Sequence, residues 1–132
     1  MAEINFFTFN PFQENTYLII DETKACVVID PGCYEKKEKE ELKSFIKDNQ
    51  LNPVKLLNTH CHIDHVFGNK FIMDNYGLSL EMNQNDIPVL QSVQQVAQLY
   101  GIPNVDESPA PSVFLDEGDK IKFGNTVLDV LF

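Results

Sequence analysis

Hydrophobic and polar positions alternate in the N-terminal part of the chain with the period of two that is typical of β-strands. Three strand-like segments are predicted as strands: residues 4–9, residues 16–20 and the continuously apolar residues 25–29. Asn10-Pro11 separates the first two, and Asp21-Glu22-Thr23 separates the last two; both favour turns. The pattern therefore predicts an antiparallel meander, which ends at Asp30-Pro31-Gly32.

Helical spacing of apolar residues replaces the alternation after this turn. Three segments are predicted as helices: residues 34–50, 68–76 and 87–100. The first is rich in Glu and Lys around one apolar face, so we expect it to be half exposed. Gly77 and Gly101 directly follow the other two, where glycine commonly ends a helix in a left-handed conformation.

Short apolar segments lie between and after the helices. Residues 54–57 and 78–82 are predicted as strands, and residues 120–123 and 127–131 as a hairpin around Gly124-Asn125. Residues 102–112 contain three prolines and are predicted as a surface loop. The mixture of strands and helices predicts one domain, residues 1–132, of the α/β (α+β) class.

Composition and charge narrow the classes of function. The chain has 43% hydrophobic residues and a formal net charge of −10, which repels nucleic acid and anionic membranes. The N-terminus has neither the basic nor the apolar part of an export signal. The 3 cysteines form no disulfide framework, so we expect a cytoplasmic protein.

A histidine cluster is the candidate for chemistry, since all 3 histidines lie in His60-Cys61-His62-Ile63-Asp64-His65. Residues i and i+2 of an extended segment project to the same side, so His60 and His62 can converge on one cation. Asp64 and His65 follow and can face a second cation. A lone His-x-His pair is often a solvated loop, but the complete cluster after a buried strand favours zinc, with iron or manganese as alternatives.

Residues 59–65 resemble the Thr-His-x-His-x-Asp-His signature of the metallo-β-lactamase superfamily. Residues 15–19 and 28–32 resemble its first paired strands and its Asp-Pro-Gly turn, and residues 86–90 and 115–121 resemble its glyoxalase II-like branch. The resemblance implies the first half of an αββα sandwich, with one mixed sheet and helices on one side.

The resemblance also implies roles for the cluster. His60 and His62 would hold the first of two zinc ions, and Asp64 and His65 the second. Asp64 would also act in catalysis by orienting the hydroxide that attacks a thioester or ester carbonyl. Asp30 and Thr59 would lie behind the ligands and orient them; for Asp30, a structural role in capping the turn is an equal alternative.

Two departures from the family pattern limit these expectations. A third histidine for the first metal, a bridging aspartate and a final histidine have no counterpart in this sequence, so we expect the domain to be incomplete at its C-terminus and the 132-residue chain to be inactive alone. We also expect the missing half to leave one face of the sheet exposed, which predicts self-association.

Three functions remain open on these grounds. The first is hydrolysis of a small thioester or ester, as in hydroxyacylglutathione hydrolases, and the second is a mononuclear iron dioxygenase that acts on persulfides. The third is a non-catalytic module that binds metal or dimerises. The charge disfavours a nuclease, and the N-terminus without an export signal disfavours β-lactam hydrolysis.

Overall fold

The computed structural model describes residues 2–131. The strands, numbered in chain order, are β1 Glu3–Phe9, β2 Glu14–Ile20, β3 Ala25–Ile29, β4 Asn52–Leu57, β5 Leu80–Met82, β6 Val113–Phe114, β7 Lys120–Phe123 and β8 Thr126–Asp129. The α-helices are α1 Lys36–Asp48, α2 Ile63–Val66, α3 Asn69–Tyr76, α4 Ile87–Gln91 and α5 Val93–Tyr100. A 3₁₀ turn, Gln84–Asp86, precedes α4.

Six strands form one mixed sheet in the order β1-β2-β3-β4-β5-β6. Short turns join β1, β2 and β3, which are antiparallel, whereas helical crossovers join β3 to β6, which are parallel. Ile29 at the end of β3 pairs with Leu57 at the end of β4. The segments that begin at Asp30 and Asn58 therefore leave the sheet side by side.

One face of the sheet packs against the helices, as predicted. Leu18, Val28 and Leu56 from the sheet share a buried cluster with Leu42 from α1 and Ile72 from α3. The predicted meander and the first helix are confirmed, and Gly77 and Gly101 end α3 and α5, each with φ 65°. This packing gives the carboxyl ends of β3 and β4 a rigid support.

The opposite face is less exposed than the sequence predicted. The β7–β8 hairpin covers part of it, and Ile121 and Phe123 form a second buried cluster with Val27, Leu57 and Leu115. The prediction of an exposed face does not hold over β3 and β4, because the inward residues of the predicted hairpin complement their apolar side. Towards β1 the face remains open.

Three local features differ from the predicted elements. The helix predicted at 87–100 divides at Ser92, whose hydroxyl donates to the Val89 carbonyl at 2.7 Å. The single turn of α2 and the two-residue strand β6 were not predicted, since both are shorter than any periodic pattern can indicate. Within the described residues, no helix is long and apolar enough to cross a membrane.

Candidate metal centre

The histidine cluster lies at the carboxyl ends of β3 and β4. Two hydrogen bonds fix its loop: the Cys61 N–H donates to Asp86 Oδ2 at 2.8 Å, and the Asn10 side-chain amide donates to the Asp64 carbonyl at 2.9 Å. His62 is the residue directly before α2, so the chain turns into a helix after it. The bend brings Asp64 and His65 back towards His60.

All four predicted ligands lie close together. The ring centroid of His60 is 3.9 Å from that of His65 and 5.0 Å from that of His62. Asp64 Oδ2 is 3.4 Å from His65 Nε2. Donor atoms of Asp30, His60 and His65 fall within 4.8 Å of one another. The two rings that lie closest together are thus those of His60 and His65. The division of the four ligands between two ions stays a prediction.

Asp30 lies behind His65 and beside Thr59. The Thr59 N–H donates to Asp30 Oδ1 at 2.7 Å, and the Thr59 hydroxyl donates to Asp30 Oδ2. Asp30 Oδ2 is also 3.0 Å from His65 Nδ1. When Nδ1 carries the proton that Asp30 accepts, Nε2 of His65 is free to bind a cation.

Glu14 is a buried residue of this region that the sequence analysis missed. Its Oε2 accepts from the Thr16 hydroxyl at 3.0 Å, while Oε1 is 3.5 Å from His65 Nδ1 and has no hydrogen bond within residues 2–131. A Cβ at Gly32 would lie 2.1 Å from Oε2, so only glycine leaves room for the carboxyl group. The alternation of β2, which puts Glu14 on the same side as Thr16 and Leu18, is the signal that could have found it.

Charge and burial shift several pKa values at the site. Burial raises the pKa of Glu14 to about 8. Burial disfavours the charged form of His65 and so acts to lower its pKa. The hydrogen bond to Asp30 and the negative charges of Asp30, Asp64 and Glu14 outweigh this effect and raise the pKa of His65. Burial and the neighbouring His65 lower the pKa of His60. A neutral His60 beside several carboxyl groups is a donor set that fits a divalent cation.

Cys61 lies between two of these histidines in sequence but points into the core. Its Sγ is 3.6 Å from the sulfur of Met82, and burial raises the pKa of its thiol to about 12. A buried thiol of this kind behaves as a small apolar side chain.

Known proteins resemble this chain over most of its length. A family model described as Metallo-beta-lactamase superfamily matches residues 9–128. The hydroxyacylglutathione hydrolase GloC of Haemophilus influenzae is 33% identical over 121 residues, which are 91% of this chain and 55% of that protein. The chain thus spans about half the length of the curated relatives it matches.

Solved structures share the fold. The crystal structure of TTHA1623 in a di-iron-bound form aligns with a TM-score of 0.77 and 28% identity, over 89% of this chain and 56% of that one. The crystal structure of the BLEG-1 B3 metallo-beta-lactamase aligns with a TM-score of 0.79 and 22% identity, over 96% and 59% of the two chains. The chain belongs to the metallo-beta-lactamase superfamily.

Proposed function

We propose that the protein is part of a metal-dependent hydrolase that cleaves a small thioester or ester of the hydroxyacylglutathione type. One observation carries the proposal: the ring centroids of His60 and His65 lie 3.9 Å apart, and Asp30 Oδ2 lies 3.0 Å from His65 Nδ1, whose proton it can accept. The 33% identity to a hydroxyacylglutathione hydrolase supports the choice of substrate class.

In this proposal His60 and His62 hold one zinc ion, and Asp64 and His65 hold the other. Bound cations polarise a carbonyl group and lower the pKa of bound water towards neutrality. Asp64 orients the attacking water. Asp30 fixes the tautomer of His65, and the two hydrogen bonds from Thr59 keep the Asp30 carboxylate in place. Iron is the second candidate metal, because a relative of 28% identity is known in a di-iron-bound form.

Residues 1–132 alone supply two ligands to each ion in this assignment, whereas a catalytic zinc commonly has three. We therefore expect weak metal binding and little hydrolysis from this chain by itself. Further ligands would come from additional sequence or from a second copy. Association between copies through the open part of the sheet, and action in the cytoplasm, belong to the same proposal.

Metal analysis combined with thioester hydrolysis tests it. The 132-residue chain, a form extended beyond Phe132 and a His60→Ala/His62→Ala variant are purified in parallel, with Lys43→Ala on the exposed side of α1 as control. We expect the extended form and its control to hold close to stoichiometric zinc and to hydrolyse S-lactoylglutathione, and the double variant to lose both properties. Retention of metal by the double variant would overturn the assignment, and iron with no hydrolysis would favour an oxygenase.

A further inference from the structure

An apolar groove opens directly beside the candidate metal centre. It has a volume of ≈ 330 Å³ and lies between the β1–β2 loop, the start of α2 and helices α4 and α5. His62 and Asp64 form its inner end. The groove and the histidine cluster share three residues, because Ile63 lines the groove as well.

Side chains from two separate elements form the walls. Phe12 of the β1–β2 loop meets Tyr100 of α5 edge-on, with ring centroids 6.0 Å apart. Val93 and Val96, on the same face of α5, line the groove below them. Phe12 is 44% exposed and Tyr100 is 65% exposed, so both rings have surface available for a ligand.

The charge of the groove selects the kind of ligand. No lysine lines it in the part of the chain that the structure describes, and Asp64 places a carboxyl group at its inner end. A carboxylate farther from the metal centre, between Phe12 and Tyr100, would be desolvated without a cationic partner. An uncharged apolar group instead gains contact with Phe12, Val96 and Tyr100.

We propose that this groove binds the acyl group of the thioester and selects an uncharged aliphatic or aromatic acyl group larger than acetyl. The inference rests on the proposed function, because the scissile carbonyl would lie at the His62 and Asp64 end. The volume of ≈ 330 Å³ is at the lower limit of typical ligand pockets, which suits one acyl group better than a complete thioester. Each methylene group that enters the groove should raise kcat/KM about three- to fivefold until the groove is full.

Kinetics on a series of N-acetylcysteamine thioesters tests the selection, with the metal-loaded, extended form of the protein. We expect kcat/KM to rise from acetyl to butyryl to hexanoyl, to be high for benzoyl and to be low for succinyl. Phe12→Ala and Tyr100→Ala should each lower kcat/KM for the hexanoyl and benzoyl thioesters about tenfold, so that the difference from acetyl becomes smaller. Leu99→Ala is the matched control, because Leu99 is adjacent on α5, 84% exposed and not part of the groove.

Binding without catalysis keeps this inference separate from the proposed function. Hexanamide, benzamide and acetamide are titrated into the metal-free 132-residue chain and followed by ¹H–¹⁵N NMR. The two larger amides should shift signals of Val89, Val96 and Tyr100, and Tyr100→Ala should weaken the effect. A series with equal kcat/KM, or amide shifts elsewhere on the molecule, would overturn the groove assignment and leave the hydrolase proposal standing. Groove binding with no thioester hydrolysis would overturn the hydrolase proposal instead.

Discussion

Asp30 occupies a conformation that most residues avoid, and its contacts explain how it is held there. Its φ is 52°, in the left-handed region that aspartate tolerates better than most side chains. The turn places its carboxylate within reach of Thr59 and His65, whereas a regular strand continuation would point it elsewhere. The hydrogen bonds offset the backbone cost, so the strained residue is also the one that contacts His65.

Asp30→Asn tests this orienting role. The variant keeps one side-chain oxygen, which can accept a hydrogen bond from Thr59. It lacks the second oxygen of a carboxylate, so it cannot accept from Thr59 and from His65 Nδ1 with separate oxygens. We expect zinc affinity to fall about 10- to 100-fold, as for other groups that orient metal ligands. Competition with a chelating dye measures the affinity. Thr59→Ser retains the hydroxyl group and serves as control, and an unchanged affinity in Asp30→Asn would contradict the assigned role.

Glu14→Gln tests the buried carboxyl group. With its pKa raised from 4.5 to about 8 in the folded chain, Glu14 stays protonated between these values while the unfolded chain loses the proton. The free energy of unfolding of the metal-free protein should therefore fall as the pH rises from about 5 to 8, by up to about 1.4 kcal/mol per pH unit.

The glutamine variant has no proton to lose at this position, so its stability should fall less over the same range. Urea unfolding in EDTA, followed by circular dichroism at pH 5, 6.5 and 8, measures the difference. Identical slopes for the variant and the parent would show that Glu14 does not hold its proton in the folded chain.

At the scale of elements, the β7–β8 hairpin is fastened to the main sheet by Asp21. This carboxylate accepts hydrogen bonds from the Thr126 hydroxyl of β8 and, at 2.9 and 2.6 Å, from the N–H and hydroxyl of Thr23. A Cβ on Gly124 would lie 2.1 Å from Asp21 Oδ2, so the hairpin turn approaches the carboxylate closely. The hairpin is thus held by polar contacts at its tip and apolar contacts along its strands.

Acid should release this hairpin. The hydrogen bonds from Thr126 and Thr23 lower the pKa of Asp21, so their contribution is present above its ordinary value near 4 and is lost as the pH falls below it. Asp21→Asn should bind more of the dye ANS at pH 7, because a loosened hairpin exposes Val27 and Leu57. Asp129→Asn, in an exposed ion pair of the same hairpin, is the control. Equal dye binding by both variants would contradict the role of Asp21.

The sequence predicted those elements that are long enough to show a period. The helical face of α1 and the strands β1 and β2 are examples. The signature at residues 59–65 predicts four ligands that are close together in the chain, and their assignment to metal ions stays a prediction. The alternation of β2 could have indicated that Glu14 is buried, but its contact with His65 and the contact of Asp86 with Cys61 were not predictable. They depend on the pairing of β2 with β3 and on the position of α4, both of which are tertiary.

At the scale of the whole molecule, the sheet is covered unevenly. Helices pack on one face, while the hairpin on the other covers β3 and β4 and leaves a cavity of ≈ 340 Å³ beside Ile19 and Leu128. Ile4 and Phe6 on β1 are 65% and 64% exposed, and Phe6 lies 6.3 Å from the ring of Tyr17. These three side chains form an exposed apolar strip at the edge of the sheet.

Association through this strip should depend on salt as well as on Phe6. The net charge of −10 makes two copies repel each other, and salt screens this repulsion over about 10 Å at 0.1 M. We expect sedimentation velocity to show a larger associated fraction at 0.3 M than at 0.02 M NaCl, and Phe6→Glu to remain a monomer in both. Leu99→Glu adds the same charge at an exposed apolar residue on α5 and should associate like the parent. If Leu99→Glu dissociated instead, the interface would lie on the helical side, and a monomeric parent in both salts would mean that the strip does not bind a second copy.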